Sequence, residues 1–353
     1  MRRDRGRDDP GEVSRVALGI AGYAVSLPRL RITREEYIKA WGQFAAAGVA
    51  EKTVLGHDED VLTLAIRASR AALASAARPA DSVTRFAFAS TTPPYSEKFL
   101  SGTIMAGLGI REDAFASDHV TSTRAGTEAM LAGIEHVRAR NGGVAIAAIA
   151  DAPRASMNDP AEHALGAGAA AFVLAPDPIL AELEGHATHA SEHFGERYRP
   201  RGEDRIRDLG VRKFSESSFA ANTSGAAEAL LEQLGRKPAD YAHVVFHQPD
   251  ARVPANLAAR LGFSAAQTAS GLVVSYLGDL GAASTPIGLA AALDVARPGD
   301  RLLVVSYGSG AASDALSFRV VRDRPSAGGV RDEADRKEYI DYLRYVKLKG
   351  SLL

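Results

Sequence analysis

The chain is 353 residues long and carries 42 Lys and Arg against 43 Asp and Glu, so neither nucleic acid nor an acidic membrane surface is an expected partner. It has no cysteine, which excludes disulfides, thiolate metal sites and a cysteine nucleophile. The length suits one large domain or two fused halves, and no apolar run approaches the roughly 20 residues that span a bilayer.

Residues 1–15 are charged and lack an apolar segment, so Arg2-Arg3 is not read as an export signal. The expectation is a disordered tail on a cytoplasmic protein. The fold begins at Val16 to Ile20, a short strand that Gly22 is expected to end. Leu27-Pro28 and Ile32 to Glu36 read as a loop into a capped helix, and Glu51 to Gly56 as a connector. Val61 to about Ala76 is a helix whose preceding acids, Asp58-Glu59-Asp60, suit its dipole. After the break at Pro79-Ala80-Asp81, Thr84 to Ala89 is an apolar strand, Thr91 to Tyr95 a loop, and Phe99 to Leu108 a helix.

The stretch from Ala116 to Gly133 is the centre of the chain. Ser117 to Thr121 extends as a strand, Ser122 to Thr127 is small and polar, and a helical pattern begins at Glu128 with Met130, Ile134 and Val137 on one face. A strand turning sharply into a helix exposes one side chain at the bend and leaves its backbone N–H at the positive helix end. Many enzymes present a nucleophile beside an oxyanion site in this way. The residue at the bend is Thr123 or Ser122; the plain alternative is an ordinary helix N-cap.

The same grammar then returns. A helix over Ala226 to Leu234, a break at Lys237 to Asp240, a strand over His243 to Phe246 and a helix ending at Leu261-Gly262-Phe263 echo the first half. The helix Met130 to Arg138 and strand Val144 to Ile149 likewise match Gly288 to Ala296 and Leu302 to Val305, a duplication at a spacing of roughly 155 residues. Val144 to Ile149 is apolar without alternation, as expected of a strand covered on both faces. Two such α/β halves place a site where they meet.

Three loops of the second half carry candidates. His247 directly follows a strand and precedes Pro249, which suits a catalytic histidine as well as a structural one. Asp279 follows an expected strand from Leu272 to Leu277, and Gly308-Ser309-Gly310 follows one from Leu302 to Tyr307. The glycines allow close approach to a ligand, or form a plain tight turn.

Set out in order, several stretches resemble the bacterial and archaeal type of hydroxymethylglutaryl-CoA synthase, within the thiolase superfamily. They are G-I-A-G-Y-A-V-S-L-P-R-L-R-I at 19–32, E-K-T-V-L-G-H-D-E-D at 51–60, R-A-G-T at 124–127 and V-F-H-Q-P at 245–249. G-L-A-A-A-L-D-V-A-R-P-G-D-R at 288–301, S-Y-G-S-G-A-A-S-D-A at 306–315 and the tail from Tyr339 to Gly350 continue the series. The resemblance implies a thiolase-like, five-layered αβαβα fold from two duplicated halves, residues 16–175 and 176–325, with an extension over 326–353. It also implies a homodimer, a coenzyme A thioester or acyl-carrier-protein-bound substrate with no covalently bound cofactor or metal, and a small zinc-ribbon/OB partner protein.

At the site itself the chain departs from the family pattern. Where the resemblance implies a cysteine that holds an acetyl group, Thr123 stands; where it implies a glutamate acid/base, Thr91 stands; the asparagine of the G-N loop is Asp279. His247, Ser309 and a basic CoA-contacting position, Arg252, are kept, while a second basic position along that helix is Asn256. A threonine hydroxyl is far less acidic than a thiol of pKa near 8.5 and needs a well-placed base. Two functions are therefore expected. One is an enzyme that forms or cleaves C–C bonds, or transfers acyl groups, by stabilising a thioester enolate without an acyl-enzyme, with Asp279 as a base or a solvated loop residue. The other is a catalytically silent subunit that binds acyl-CoA or stabilises a partner.

Overall fold

The computed structural model describes residues 17–191, 197–208, 212–324 and 328–350. The tail expected over residues 1–15 lies outside the described residues. Twelve strands are present among these: β1 Leu18–Ser26, β2 Leu30–Thr33, β3 Glu51–Val54, β4 Val83–Ala89, β5 Phe115–His119 and β6 Val144–Asp151. They continue as β7 Gly168–Pro176, β8 Ala181–Ala190, β9 His243–Phe246, β10 Arg301–Val305, β11 Ala312–Val320 and β12 Glu338–Tyr339. The helices are α1 Arg34–Trp41, α2 Val61–Ser75, α3 Leu100–Leu108, α4 Ala125–Ala139, α5 Pro160–Ala164 and α6 Arg212–Leu234. Those remaining are α7 Arg252–Arg260, α8 Ala265–Ala269, α9 Val274–Leu277, α10 Ser284–Leu293, α11 Val330–Asp335 and α12 Tyr342–Leu348.

Among the described residues, nine strands join in the order β5-β4-β6-β7-β1-β8-β11-β10-β9. Read outward from the seam between β1 and β8, the order is 1-7-6-4-5 on one side and 8-11-10-9 on the other, so the first four strands of each side correspond. The pairings agree in direction too. β1 to β7 and β7 to β6 are antiparallel and β6 to β4 parallel; β8 to β11 and β11 to β10 are antiparallel and β10 to β9 parallel. This is the duplication in three dimensions. The seam is short, with Gly19 opposite Glu182 and Ile20 opposite Ala181.

Burial explains the layers. β6 is buried along its whole length, with Ala145, Ala147 and Ile149 in the central core and Val144, Ile146 and Ala148 in an outer one. The central core holds α4 and α10, the latter buried at every position; α2 and α3 cover the outer face of the first strand group, and α6 and α7 that of the second. Helix, sheet, helix, sheet, helix is the expected αβαβα order. A separate small sheet, β12-β2-β3, packs with α1 and α12 at one side.

Several local expectations are corrected. β1 does not end at Gly22: a bulge between Ile20 and Gly22 carries the strand on to Ser26, and Gly22 is needed because a Cβ there would lie 2.5 Å from the Ala76 nitrogen. The connector at Glu51 is strand β3, paired antiparallel with β2. The expected strand Leu272 to Leu277 is helical from Val274: the Gln248 side chain accepts from the N–H groups of Val273 and Val274 at 2.8 and 2.9 Å, capping a helix start against β propensity. α4 begins at Ala125, three residues earlier than expected, because the Ser122 carbonyl already accepts from Ala125 N–H at 2.9 Å.

Candidate active site

The bend between β5 and α4 opens into a cleft of about 280 Å³ lined by Thr91, Val120, Thr121, Ser122, Thr123, Arg197, Tyr198, Arg199, Ile206 and Ser309. Four of the residues singled out in the sequence, Thr91, Ser122, Thr123 and Ser309, thus meet at one place. The Thr123 hydroxyl donates to the Tyr307 carbonyl at 2.7 Å. Among the described residues nothing accepts from the Thr123 N–H, which precedes the first turn of α4. Gly308 packs onto the bend so tightly that a Cβ would fall 1.9 Å from Ser122 Oγ, whereas Gly310, at φ +91°, faces open space.

Thr91 sits at the end of β4, where its hydroxyl donates to Asp151 Oδ2 at 2.6 Å. Asp151, fully buried at the end of β6, also accepts from Thr92 Oγ1 and from the Ala282 N–H at 2.8 Å. One carboxylate therefore ties the loop after β4 to the turn before α10.

Asp279 is buried behind the cleft and forms an ion pair with Arg197 at 2.9 Å. Its other oxygen accepts from Gly281 N–H and from Ser284 Oγ, each at 2.9 Å. Burial by itself would raise this carboxyl's pKa. Arg197, His247, the Gly281 N–H and the Ser284 hydroxyl outweigh it and hold the group below the ordinary carboxylate range. Gly278, at φ 82° and ψ −178°, and a two-way backbone pairing fix the loop: Asp279 N–H donates to Ala164 O at 2.7 Å, and Gly166 N–H to Asp279 O at 2.8 Å.

His247 directly follows β9 and is buried, its ring 6.4 Å from that of Tyr307. Burial lowers its pKa; Asp279 opposes that and Arg197 adds to it, so the imidazole is neutral at pH 7. Its Nδ1 is buried with no hydrogen-bond partner among the described residues. A buried N–H left without an acceptor is rarer than an under-used lone pair, which favours the proton on Nε2. His247 is not among the residues that line the cleft, but its ring neighbours that of Tyr307, whose carbonyl accepts from Thr123. Arg252 opens α7, is exposed and lies outside the cleft lining, with Asp250 capping the helix beside it.

Arg197, Arg199 and Asp151 were not read as site residues from the sequence. The available signal was arginine density, since Arg197, Arg199, Arg201, Arg205 and Arg207 fall within eleven positions. No three His, Asp or Glu side chains among the described residues are placed to hold a metal, and no described helix is long and apolar enough to cross a membrane.

Residues 231–320 match the family model of the 3-oxoacyl-[acyl-carrier-protein] synthase III C terminal. A hydroxymethylglutaryl-CoA synthase from Archaeoglobus fulgidus is 35% identical over 338 residues, covering 94% of this chain and 98% of that protein. The chain belongs to the hydroxymethylglutaryl-CoA synthase family. Two solved structures share its fold. MvaS in complex with 3-hydroxy-3-methylglutaryl coenzyme A aligns with a TM-score of 0.83 at 21% identity, over 95% of this chain and 92% of that one. The curacin pathway HMG synthase in complex with acetyl donor-ACP aligns with a TM-score of 0.80 at 18% identity, over 94% and 88%. Within the family, this member carries Thr123 at the bend of a chain with no cysteine at all.

Proposed function

We propose that this protein acts on an acyl thioester, CoA- or carrier-protein-bound, and forms or cleaves a C–C bond through its enolate while the acyl group stays on its own thiol. The observation that carries this reading is the commitment of the Thr123 hydroxyl to the Tyr307 carbonyl while, among the described residues, nothing accepts from the Thr123 N–H. A hydroxyl used as a donor to a carbonyl, with no base on it, is a poor nucleophile; a free N–H at a helix start is a good oxyanion donor. His247, neutral and with Nε2 as its donor, supplies the second hydrogen bond to the thioester oxygen. Asp279 is an anion paired with Arg197 and acts as an electrostatic anchor in preference to a base. Ser309 lines the path of the acyl arm between Gly308 and Gly310, Thr91 forms another part of the wall, and Arg252 steers the phosphates at the surface.

The names of the relatives support the thioester class. A homodimer, the division at 16–175 and 176–325 and a zinc-ribbon/OB partner belong to the same proposal and rest on the resemblance. The decisive experiment is hydrogen–deuterium exchange at the α-carbon of acetyl-CoA in D2O, followed by NMR. Exchange that falls at least about 10²-fold in His247→Ala is expected from loss of an oxyanion donor. Tight binding without exchange or conversion of any thioester favours the silent binding subunit instead.

A further inference from the structure

We infer that the partner condensed with the thioester in this cleft is a small free oxo acid, with its carboxylate bound by Arg199; the inference rests on the proposed thioester chemistry. Two observations lead there. Without an acyl-enzyme, donor and acceptor must occupy the cleft together. A cleft of about 280 Å³ does not hold two CoA thioesters, so the second molecule must be a compact one.

The second observation is charge. The cleft lining holds two arginines and no acid. Arg197 is matched by Asp279. Arg199 is not: it donates from Nη1 to the Glu203 carbonyl at 3.0 Å and from Nη2 to the Thr91 carbonyl at 2.5 Å, and among the described residues it has no carboxylate partner. Arg199 also lines a neighbouring cavity with Glu59, Asp60 and Asp204, but the acids around it are engaged elsewhere, Glu203 with Arg207, Asp204 with Arg154, Glu59 with Arg67 and Asp60 with the Thr63 N–H. A guanidinium fixed by two neutral carbonyls keeps its full charge and its other N–H donors, in a planar arrangement that suits a carboxylate. The phosphates of CoA are a poor match for this charge. Arg199 grips Thr91, which lines the same cleft as Thr123, and the pantetheine arm holds the phosphates away from the thioester.

The step is an aldol addition. The α-carbon of the thioester gives up a proton to solvent hydroxide, and the electron pair it keeps forms a bond to the ketone carbon of the oxo acid. The carbonyl electron pair becomes an alkoxide, which takes up a proton, and the thioester bond is untouched. The product mass is the sum of the two reactants, with no CoA released.

The test incubates the full chain with acetyl-CoA and, in turn, pyruvate, 2-oxoglutarate, methyl pyruvate or acetoacetyl-CoA, with products read by mass spectrometry. Summed-mass adducts with the oxo acids and none with the methyl ester are expected. Arg199→Met should raise the KM for the oxo acid at least about tenfold and move that for acetyl-CoA far less, and Arg199→Lys should recover part of the loss. Acetyl-pantetheine, which carries no phosphate, should show the same Arg199 effect. Equal reaction of the neutral ester, condensation with acetoacetyl-CoA instead, or loss of the Arg199 effect with acetyl-pantetheine overturns the inference and leaves the thioester reading standing. Absence of any calorimetric binding of acetyl-CoA overturns both.

Discussion

The hydrogen bond from the Thr123 hydroxyl to the Tyr307 carbonyl, at 2.7 Å, joins the bend of the first strand group to the loop after β10 in the second. It makes the residue at the nucleophile's place a structural tie. Intact-protein mass spectrometry after mixing with acyl-CoA should therefore find no acyl increment, and Thr123→Ala should keep enolate exchange within about tenfold of the parent, because the backbone N–H remains. An increment that maps to Thr123 and disappears in Thr123→Ala contradicts this account.

Arg197→Met strands a buried carboxylate. Removing one partner of a buried pair costs about 3–5 kcal/mol, so urea unfolding should show a loss of this order. Asp279→Asn in the same chain removes the uncompensated charge, and the double variant should recover at least half of the loss. Additive losses in the double-mutant cycle would mean that the two side chains are not coupled.

Gly278→Ala should be more damaging than its size suggests. At φ 82° and ψ −178° the backbone lies in a region open essentially to glycine alone, and an added Cβ would sit 2.4 Å from the Ala164 carbonyl oxygen. The expected cost is at least about 2 kcal/mol, with loss of α-proton exchange as Asp279 shifts. A variant with parental stability and activity shows that the loop has another conformation.

Acid should destabilise the fold in two stages. Burial lowers the pKa of His247, and burial aided by Lys52 pushes that of His163 down to about 4. In the unfolded chain these imidazoles titrate near 6.5, so between about pH 6.5 and 4 the unfolded state binds more protons and stability falls as pH falls. Asp279, held low in the fold, adds a second loss below about pH 4, where the unfolded carboxyl protonates first. Melting temperatures from pH 8 to 3.5 check this, and His163→Phe should flatten the first stage. A melting temperature that rises on acidification from pH 7 to 5 would contradict the assigned neutral forms.

What could be read from the residues was the repeated grammar and the bend. The apolar run at Val144 and the breaks at Pro79 and Pro238 act through neighbours in the chain, so they announce strands and turns wherever the segment lies. Val273-Val274 misled for the opposite reason: the cap that makes them helical comes from Gln248, twenty-five and twenty-six positions away. The same limit hid Arg197 and Arg199, whose meaning depends on which carboxylate or carbonyl they meet.

The sequence alone determined that there are two similar α/β halves, that no thiol is available, and that Thr123, His247 and Ser309 stand in the loops after strands. Position at a strand end is a property of the local pattern. Only the tertiary structure decided what these groups can do. It turned the Thr123 hydroxyl toward Tyr307, neutralised Arg197 on Asp279 and, among the described residues, buried His247 with one nitrogen unpaired and left Arg199 without a carboxylate. Hydrogen-bond partners, desolvation and charge balance are set by residues far apart in the chain, and a linear pattern carries none of them.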